Sequence, residues 1–184
     1  MGVIWIIAAC VWGVAEATLF FIVPDVILTY ATLRHGWQAG LKLAIFAATA
    51  AALAGIGMWM WGRFDPASAE HAMLMVPAIG PDLMAQTSRE MTGFWPLNLV
   101  LGAITGVPYK LYAVAAGEHG VNVAAFAVAS YVARLIRFAF SVGVTVLGLR
   151  MLRYLGREQW AYHVLTAGWV ILYTVYFSLR AAAG

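Results

Sequence analysis

The chain of 184 residues is poor in charge, in cysteine and in catalytic signatures. Asp, Glu, Lys and Arg together make up 10% of it, against about 25% in an average soluble domain. Hydrophobic residues make up 64%. A soluble fold of this size has too little interior to hide that much apolar surface, and disorder is excluded for the same reason. Cys10 is the single cysteine, so no intrachain disulfide forms. Ile7-Ala8-Ala9-Cys10 follows too short an apolar run, with no Lys or Arg before it, to be read as a lipoprotein processing box. His35, His71, His119 and His163 are scattered without metal spacing, and Glu118-His119 reads as a turn. There is no nucleophile elbow, P-loop or dinucleotide fingerprint, so neither an enzyme nor a cofactor is expected. The net charge of +3 comes without a basic cluster interleaved with aromatics, which argues against nucleic acid.

The abundant feature is apolar sequence in long blocks. The expected fold is an all-α integral membrane protein, one domain over 1–184. Residues 43–62, 121–149 and 160–180 each read as a transmembrane helix of the roughly 20 apolar residues a crossing needs. Residues 1–33 are broken at Pro24-Asp25, and 94–117 at Gly106-Val107-Pro108, with Lys110 beside the second break. Irregular backbone at membrane depth survives only inside protein or beside a wet cavity. Both blocks therefore read as Pro-broken re-entrant hairpins, packed among about three to four crossings. The first arm of 1–33 is long enough that a full pair of crossings stays open there. Charge favours returning hairpins, because Arg34, Lys42, Arg150, Arg153 and Arg157 then share one face. Residues 63–93, punctuated by Pro66, Pro77 and Pro81, read as an extramembrane connector with short interfacial helices, a lid being the alternative. Gly55 and Gly57, after an Ala-rich run, point to close helix packing.

Ionisable groups in hydrocarbon cost several kcal/mol each and mark function. Five stand out here: Glu16, Asp25, Lys110, Arg134 and Arg137. At about 100° per residue, Ser130, Arg134, Arg137, Ser141 and Thr145 fall on one narrow helix face. Two guanidiniums on such a face need anionic partners, and Glu16 and Asp25 are the carboxylates near membrane depth. Three cations against two carboxylates leave one positive charge over, which suits a bound anion such as a phosphate headgroup. Half-helix N-termini at the breaks add partial positive charge. Ser130 and Ser141 are expected to line that cavity. Asn98, Gly102 and Thr105 share a face and either line the cavity with them or pack helices. A buried salt-bridge network without turnover is the structural alternative.

The stretch from Glu16 through Pro24 to Asp25 resembles the first hairpin motif of the DedA/VTT (SNARE-associated) membrane protein family. Thr105-Gly-Val-Pro-Tyr-Lys-Leu-Tyr-Ala-Val-Ala-Ala-Gly117 resembles its second, in the form of the YqaA-like branch. Phe126 to Phe138 resembles the helix that carries the family's paired basic residues. Phe21, Val23 and Gly106 stand where members carry further prolines, and Ala133 stands for a common Gly. The resemblance implies two facing re-entrant hairpins and transbilayer movement of phospholipid or polyprenyl phosphate. It matches Glu16 and Asp25 to the acidic pair, and Lys110, Arg134 and Arg137 to the basic set.

The expected function is thus a flippase or scramblase for phosphate-bearing lipids in a bacterial cytoplasmic (inner) membrane. Arg134, Arg137 and Lys110 bind substrate. Glu16 and Asp25 compensate their charge or couple protons, and Pro24, Pro108 and Gly106 form the breaks. Membrane lipids are the expected partners, with protons as candidate coupling partners. A small-ion or proton-coupled transporter uses the same charges, and a non-transport assembly factor is held together by them. Both alternatives stay open at this point.

Overall fold

The computed structural model describes residues 2–18, 20 and 23–182, with side chains followed to Leu179; Phe21 and the side chain of Arg180 lie outside this description. Every regular element among the described residues is helical: α1 Val3–Ala17, α2 Asp25–His35, α3 Trp37–Phe64, α4 Pro66–Leu74, α5 Pro81–Met91, α6 Trp95–Thr105, α7 Tyr109–Glu118, α8 Val123–Tyr154 and α9 Ala161–Ala182. A 3-10 turn, Glu158–Trp160, leads into α9.

Among the described residues three helices are long and apolar enough to cross a membrane: α3, α8 and the segment Glu158–Leu179 that contains most of α9. At 1.5 Å per residue, α3 and α8 reach about 42 and 48 Å, against a hydrocarbon core of about 30 Å. On α8 the exposed Val128, Val132, Ile136, Phe140, Val144, Leu147 and Met151 repeat every three or four residues. A continuous outward apolar stripe of that length belongs in lipid. The chain is a membrane protein.

The other helices are short. α1 has 15 residues, α2 and α6 have 11 and α7 has 10, or about 15–23 Å each. They occur as two pairs that fold back. The ring of Trp5, at the start of α1, meets that of His35, at the end of α2, at 5.5 Å. In the second pair, Asn98 of α6 donates to the Glu90 carbonyl at 2.8 Å, and the Tyr112 hydroxyl of α7 donates to the Glu90 carboxylate. Both arms of that pair are thereby tied to α5.

Sequence chemistry sets the breaks. α6 stops at Gly106, whose φ of 88° is the left-handed cap that glycine takes without a Cβ clash. Pro108 follows, and proline disfavours helix in the residue before it, so Val107 cannot restart one. At the first break the Thr18 hydroxyl bonds back to the Val14 and Ala15 carbonyls at 3.0 Å, and Pro24 leads into α2. α8 starts where the Asn122 side chain accepts from the Ala124 and Ala125 amides at 3.0 and 3.1 Å.

α3 stands at the centre, against α1, α2, α7 and α8. Its buried stripe of Gly40, Ala44, Ala47, Ala48, Ala51, Gly55 and Gly62 lets backbones approach closely. A Cβ on Gly13 of α1 would lie 2.7 Å from the Ala47 carbonyl oxygen. A Cβ on Gly62 would strike the Val114 carbonyl, and one on Gly117 the Trp59 carbonyl, so α3 and α7 touch backbone to backbone. Gly57, by contrast, faces open space. Its expected packing role is not what the fold uses, because it sits off the buried stripe.

Two hydrophobic clusters result. One joins α3 to α4–α7, the other joins α1, α2, the start of α3 and α8. The apolar blocks of the sequence underestimate the helices at their polar ends. α3 begins at Trp37, before Lys42, and α8 runs on through Arg150 and Arg153, since a charge at a helix end does not stop it. The 63–93 segment is more than a connector. Met73 of α4 and Leu83 and Met91 of α5 are buried, and Val76 and Ile79 between the two helices are each 7% exposed.

Candidate functional site

The breaks bring five ionisable side chains together between the two clusters. α1 ends one residue past Glu16, α2 begins at Asp25, and α7 begins one residue before Lys110. α8 runs past all three and contributes Arg134 and Arg137. The paired cations and carboxylates meet as helix-face spacing implied, but the two pairs differ in kind.

Arg134 is sealed. Its side chain is 1% exposed and its Nη2 donates to Glu16 Oε2. The guanidinium lies over the Tyr109 ring at 4.2 Å and 5.8 Å from Phe138, one ring from each hydrophobic cluster. Nε and Nη1 make no hydrogen bond among the described residues. The aromatic face of Tyr109 offsets part of that cost by cation–π attraction. Tyr109 is itself held by stacking on Phe126 at 6.2 Å and 8°.

Arg137 is open. Its Nη2 lies 3.3 Å from Asp25 Oδ2, and its side chain is 19% exposed. Asp25 is fully buried and also accepts from the Ser141 hydroxyl at 2.5 Å. Lys110 Nζ donates to the Phe20 carbonyl at 2.6 Å, so the lysine of one break grips the backbone of the other.

Glu16, Asp25, Lys110 and Arg137 line one cavity of about 270 Å³. Gly106, Val107 and Pro108 of the second break form part of its wall. Val76, Pro77 and Ile79, from the link between α4 and α5, form another part, which a plain connector would not do. Ala78 within that link has φ of 68°, a left-handed backbone that costs an L-residue about 1–2 kcal/mol.

Several expected cavity residues lie elsewhere. Arg134 stands behind Glu16, outside the lining. Ser130 is fully buried one turn before Arg134 and also outside it. The polar face of α8 spans about 22 Å from Ser130 to Thr145, so its two ends meet different neighbours. Asn98 points to Glu90, Thr105 bonds to its own helix at the Gly102 carbonyl at 3.5 Å, and Gly102 packs on the Tyr112 ring. Their shared face packs helices. Ser141 alone of the four polar candidates lines the cavity.

Sequence reasoning missed the aromatic wall from α9. Trp169, Tyr173 and Tyr176 line the cavity. The Tyr173 hydroxyl accepts from the Val23 amide at 2.9 Å, and Trp169 Nε1 donates to the Thr29 hydroxyl at 3.0 Å. Aromatics near block ends read as interface anchors, and only their spacing of four and then three residues on one face signals otherwise. Among the described residues no group of three His, Cys, Asp or Glu side chains is placed to hold a metal ion.

Chemically, the arrangement is a small chamber lined by two cations and two carboxylates, with a third cation, Arg134, behind Glu16 and two helix N-termini, those of α2 and α7, at its wall. Compared with known proteins, the chain matches no family model, no curated protein and no solved structure.

Proposed function

We propose that this protein moves an anionic, phosphate-bearing lipid across a bacterial cytoplasmic membrane, with α1–α2 and α6–α7 as facing re-entrant hairpins. The helix lengths support this reading: no arm of either pair reaches 30 Å at 1.5 Å per residue. The observation that carries it is a cavity, walled by both breaks, in which Arg137 and Lys110 stand together while Glu16 is held from behind by Arg134. At about 270 Å³ the cavity falls just below the roughly 300–1,000 Å³ of small-molecule pockets, a fit for a headgroup and not for a whole lipid.

In this reading Arg137 and Lys110 take the phosphate. Arg137 offers a planar fork to two phosphate oxygens, and Lys110 a point charge. Without substrate, Asp25 and the Phe20 carbonyl satisfy these cations, so the chamber is not left with bare charge. An arriving phosphate exchanges with those internal acceptors, which loosens Lys110 from the first break. Asp25 and Glu16, both on the cavity wall, compensate the charge of these cations. Arg134 is a positioning residue that holds Glu16 and the α1 terminus against α8. The resemblance to the DedA/VTT family implies the same role for Lys110 and Arg137 but sets Arg134 beside them, whereas here Arg134 lies outside the cavity lining.

The test is translocation of fluorescent phospholipid and of polyprenyl phosphate, in separate proteoliposome assays, with and without a pH gradient. Folded native protein is expected to move at least one of them, and Lys110→Ala with Arg137→Ala to abolish the movement. Transport unchanged by that pair of substitutions refutes the site. Ion flux without lipid movement favours the small-ion transporter instead. The sealed Arg134–Glu16 pair favours, for that pair alone, the structural role that an assembly factor would give the whole network.

A further inference from the structure

We propose that the groove between α8 and α9 is an acyl-chain site, holding a hydrocarbon tail of the lipid whose headgroup enters the charged cavity. This rests on the lipid reading above and extends it from the headgroup to the tail.

The groove has a volume of about 560 Å³ and is walled by α2, α8 and α9. It adjoins the charged cavity directly. Phe140, Ser141, Trp169 and Leu172 line both, so the two spaces share one threshold. Ser141 marks it, with its hydroxyl turned to Asp25. On one side of that line lie Arg137 and Lys110, on the other Val144, Leu149 and Leu165. Charge followed by hydrocarbon is the order of groups along a phospholipid.

The polar atoms inside the groove make no demand on a ligand. The Thr29 hydroxyl donates to the Asp25 carbonyl at 2.8 Å and accepts from Trp169. The Thr145 hydroxyl donates to the Ser141 carbonyl at 2.8 Å. An occupant therefore needs no hydrogen-bonding groups, which fits an alkyl chain and not a peptide. Along α8 the groove extends from Phe140 to Leu155, about 22 Å at 1.5 Å per residue. A tail filling one leaflet spans about half of the 30 Å hydrocarbon core, so it fits lengthwise.

Two glycines carry the point furthest. Gly148 of α8 and Gly168 of α9 both line the groove. Glycines facing each other across membrane helices ordinarily bring the backbones into contact. Here a Cβ built on either meets nothing within 4 Å. They widen a space in place of closing a seam.

The test uses a phospholipid with a photoreactive diazirine near the end of one acyl chain, in proteoliposomes of the full chain. Cross-links on the native protein are expected to concentrate on 140–155 and 161–172. Gly148→Leu with Gly168→Leu starts each new side chain from a Cβ in open space and directs it into the groove, and cross-linking there is expected to fall about tenfold. Cross-links spread evenly over the outward faces of α1, α3 and α9 would mean ordinary boundary lipid and overturn the site. So would a second copy in the groove, seen as protein–protein cross-links from a photoreactive residue at position 148. The map on the native protein decides even if the leucine variant fails to fold. The readout is occupancy, so the two readings separate. Groove-centred cross-links on a protein that moves no lipid leave this site standing and remove the transport reading. Lipid movement at the native rate with groove cross-links undiminished in the leucine variant does the reverse.

Discussion

Replacing Glu16 by Gln keeps the side chain's shape and removes its charge. Arg134 then carries a full positive charge on a side chain 1% exposed, with Tyr109 beneath it and its only ion-pair partner among the described residues gone. Removing one member of a buried pair costs about 3–5 kcal/mol. The cation–π contact, worth up to about 2 kcal/mol, is present before and after, so it does not reduce that figure. For a chain of this length each kcal/mol shifts Tm by roughly 2–4 °C, so Glu16→Gln is expected to lower Tm by about 6–20 °C. Arg134→Met leaves Glu16 within reach of the charges of Arg137 and Lys110, and its loss falls toward the lower end. The double variant has neither charge to bury and is expected to be no less stable than Glu16→Gln, a coupling of about 2 kcal/mol or more. Thermal unfolding in detergent, followed by tryptophan fluorescence, measures all three. Losses that add to within about 0.5 kcal/mol would mean the two residues do not act as a pair, and the reasoning fails. Arg137→Met strands Asp25, which is fully buried and keeps only its Ser141 hydrogen bond, so a loss of about 3–5 kcal/mol is expected together with loss of transport.

Further outcomes follow from packing and backbone. Gly62→Val drives a side chain into the Val114 carbonyl, where neither backbone can yield; a loss of at least about 1–3 kcal/mol is expected, whereas Gly57→Ala should stay within about 0.5 kcal/mol, both read as Tm. Tyr173→Phe removes the acceptor of the Val23 amide; a loss of about 1 kcal/mol and faster hydrogen exchange at that amide are expected. Ala78→Gly relieves about 1–2 kcal/mol of left-handed strain against about 0.5–1 kcal/mol of added chain freedom, so Tm should hold or rise slightly. A fall in Tm would mean that the Ala78 methyl makes contacts that outweigh its strain.

Much of the architecture was legible because its signals are local. Apolar length marked α3, α8 and α9, while Pro24, Gly106 and Pro108 marked the breaks. The misplaced charges were equally plain, and so was the opposition of two carboxylates to the arginines of one helix face. Division of labour between Arg134 and Arg137 was not legible. The two lie three residues apart on the same face, and only the distance between the α1 terminus and the start of α2 decides which is sealed. Nor could one helix wheel reveal that Asn98 turns to Glu90, since Glu90 belongs to a segment that reads as a polar connector. The wall supplied by Val76 and Ile79 was hidden for the same reason. Apolar residues spaced by proline carry no period, and their burial depends on what lies beneath them.

The hydrogen bonds of α9 have a mechanical consequence. Thr166 bonds to Tyr30, Trp169 to Thr29 and Tyr173 to Val23, so all three ties run to α2 or to the break before it. Toward α8 the same helix offers the apolar groove. Helix α9 is thus hinged to the first helix pair and merely rests against α8. A shift in α2 would therefore carry α9 with it and alter the width of the slot beside α8, so one displacement would act on both the charged chamber and its apolar flank.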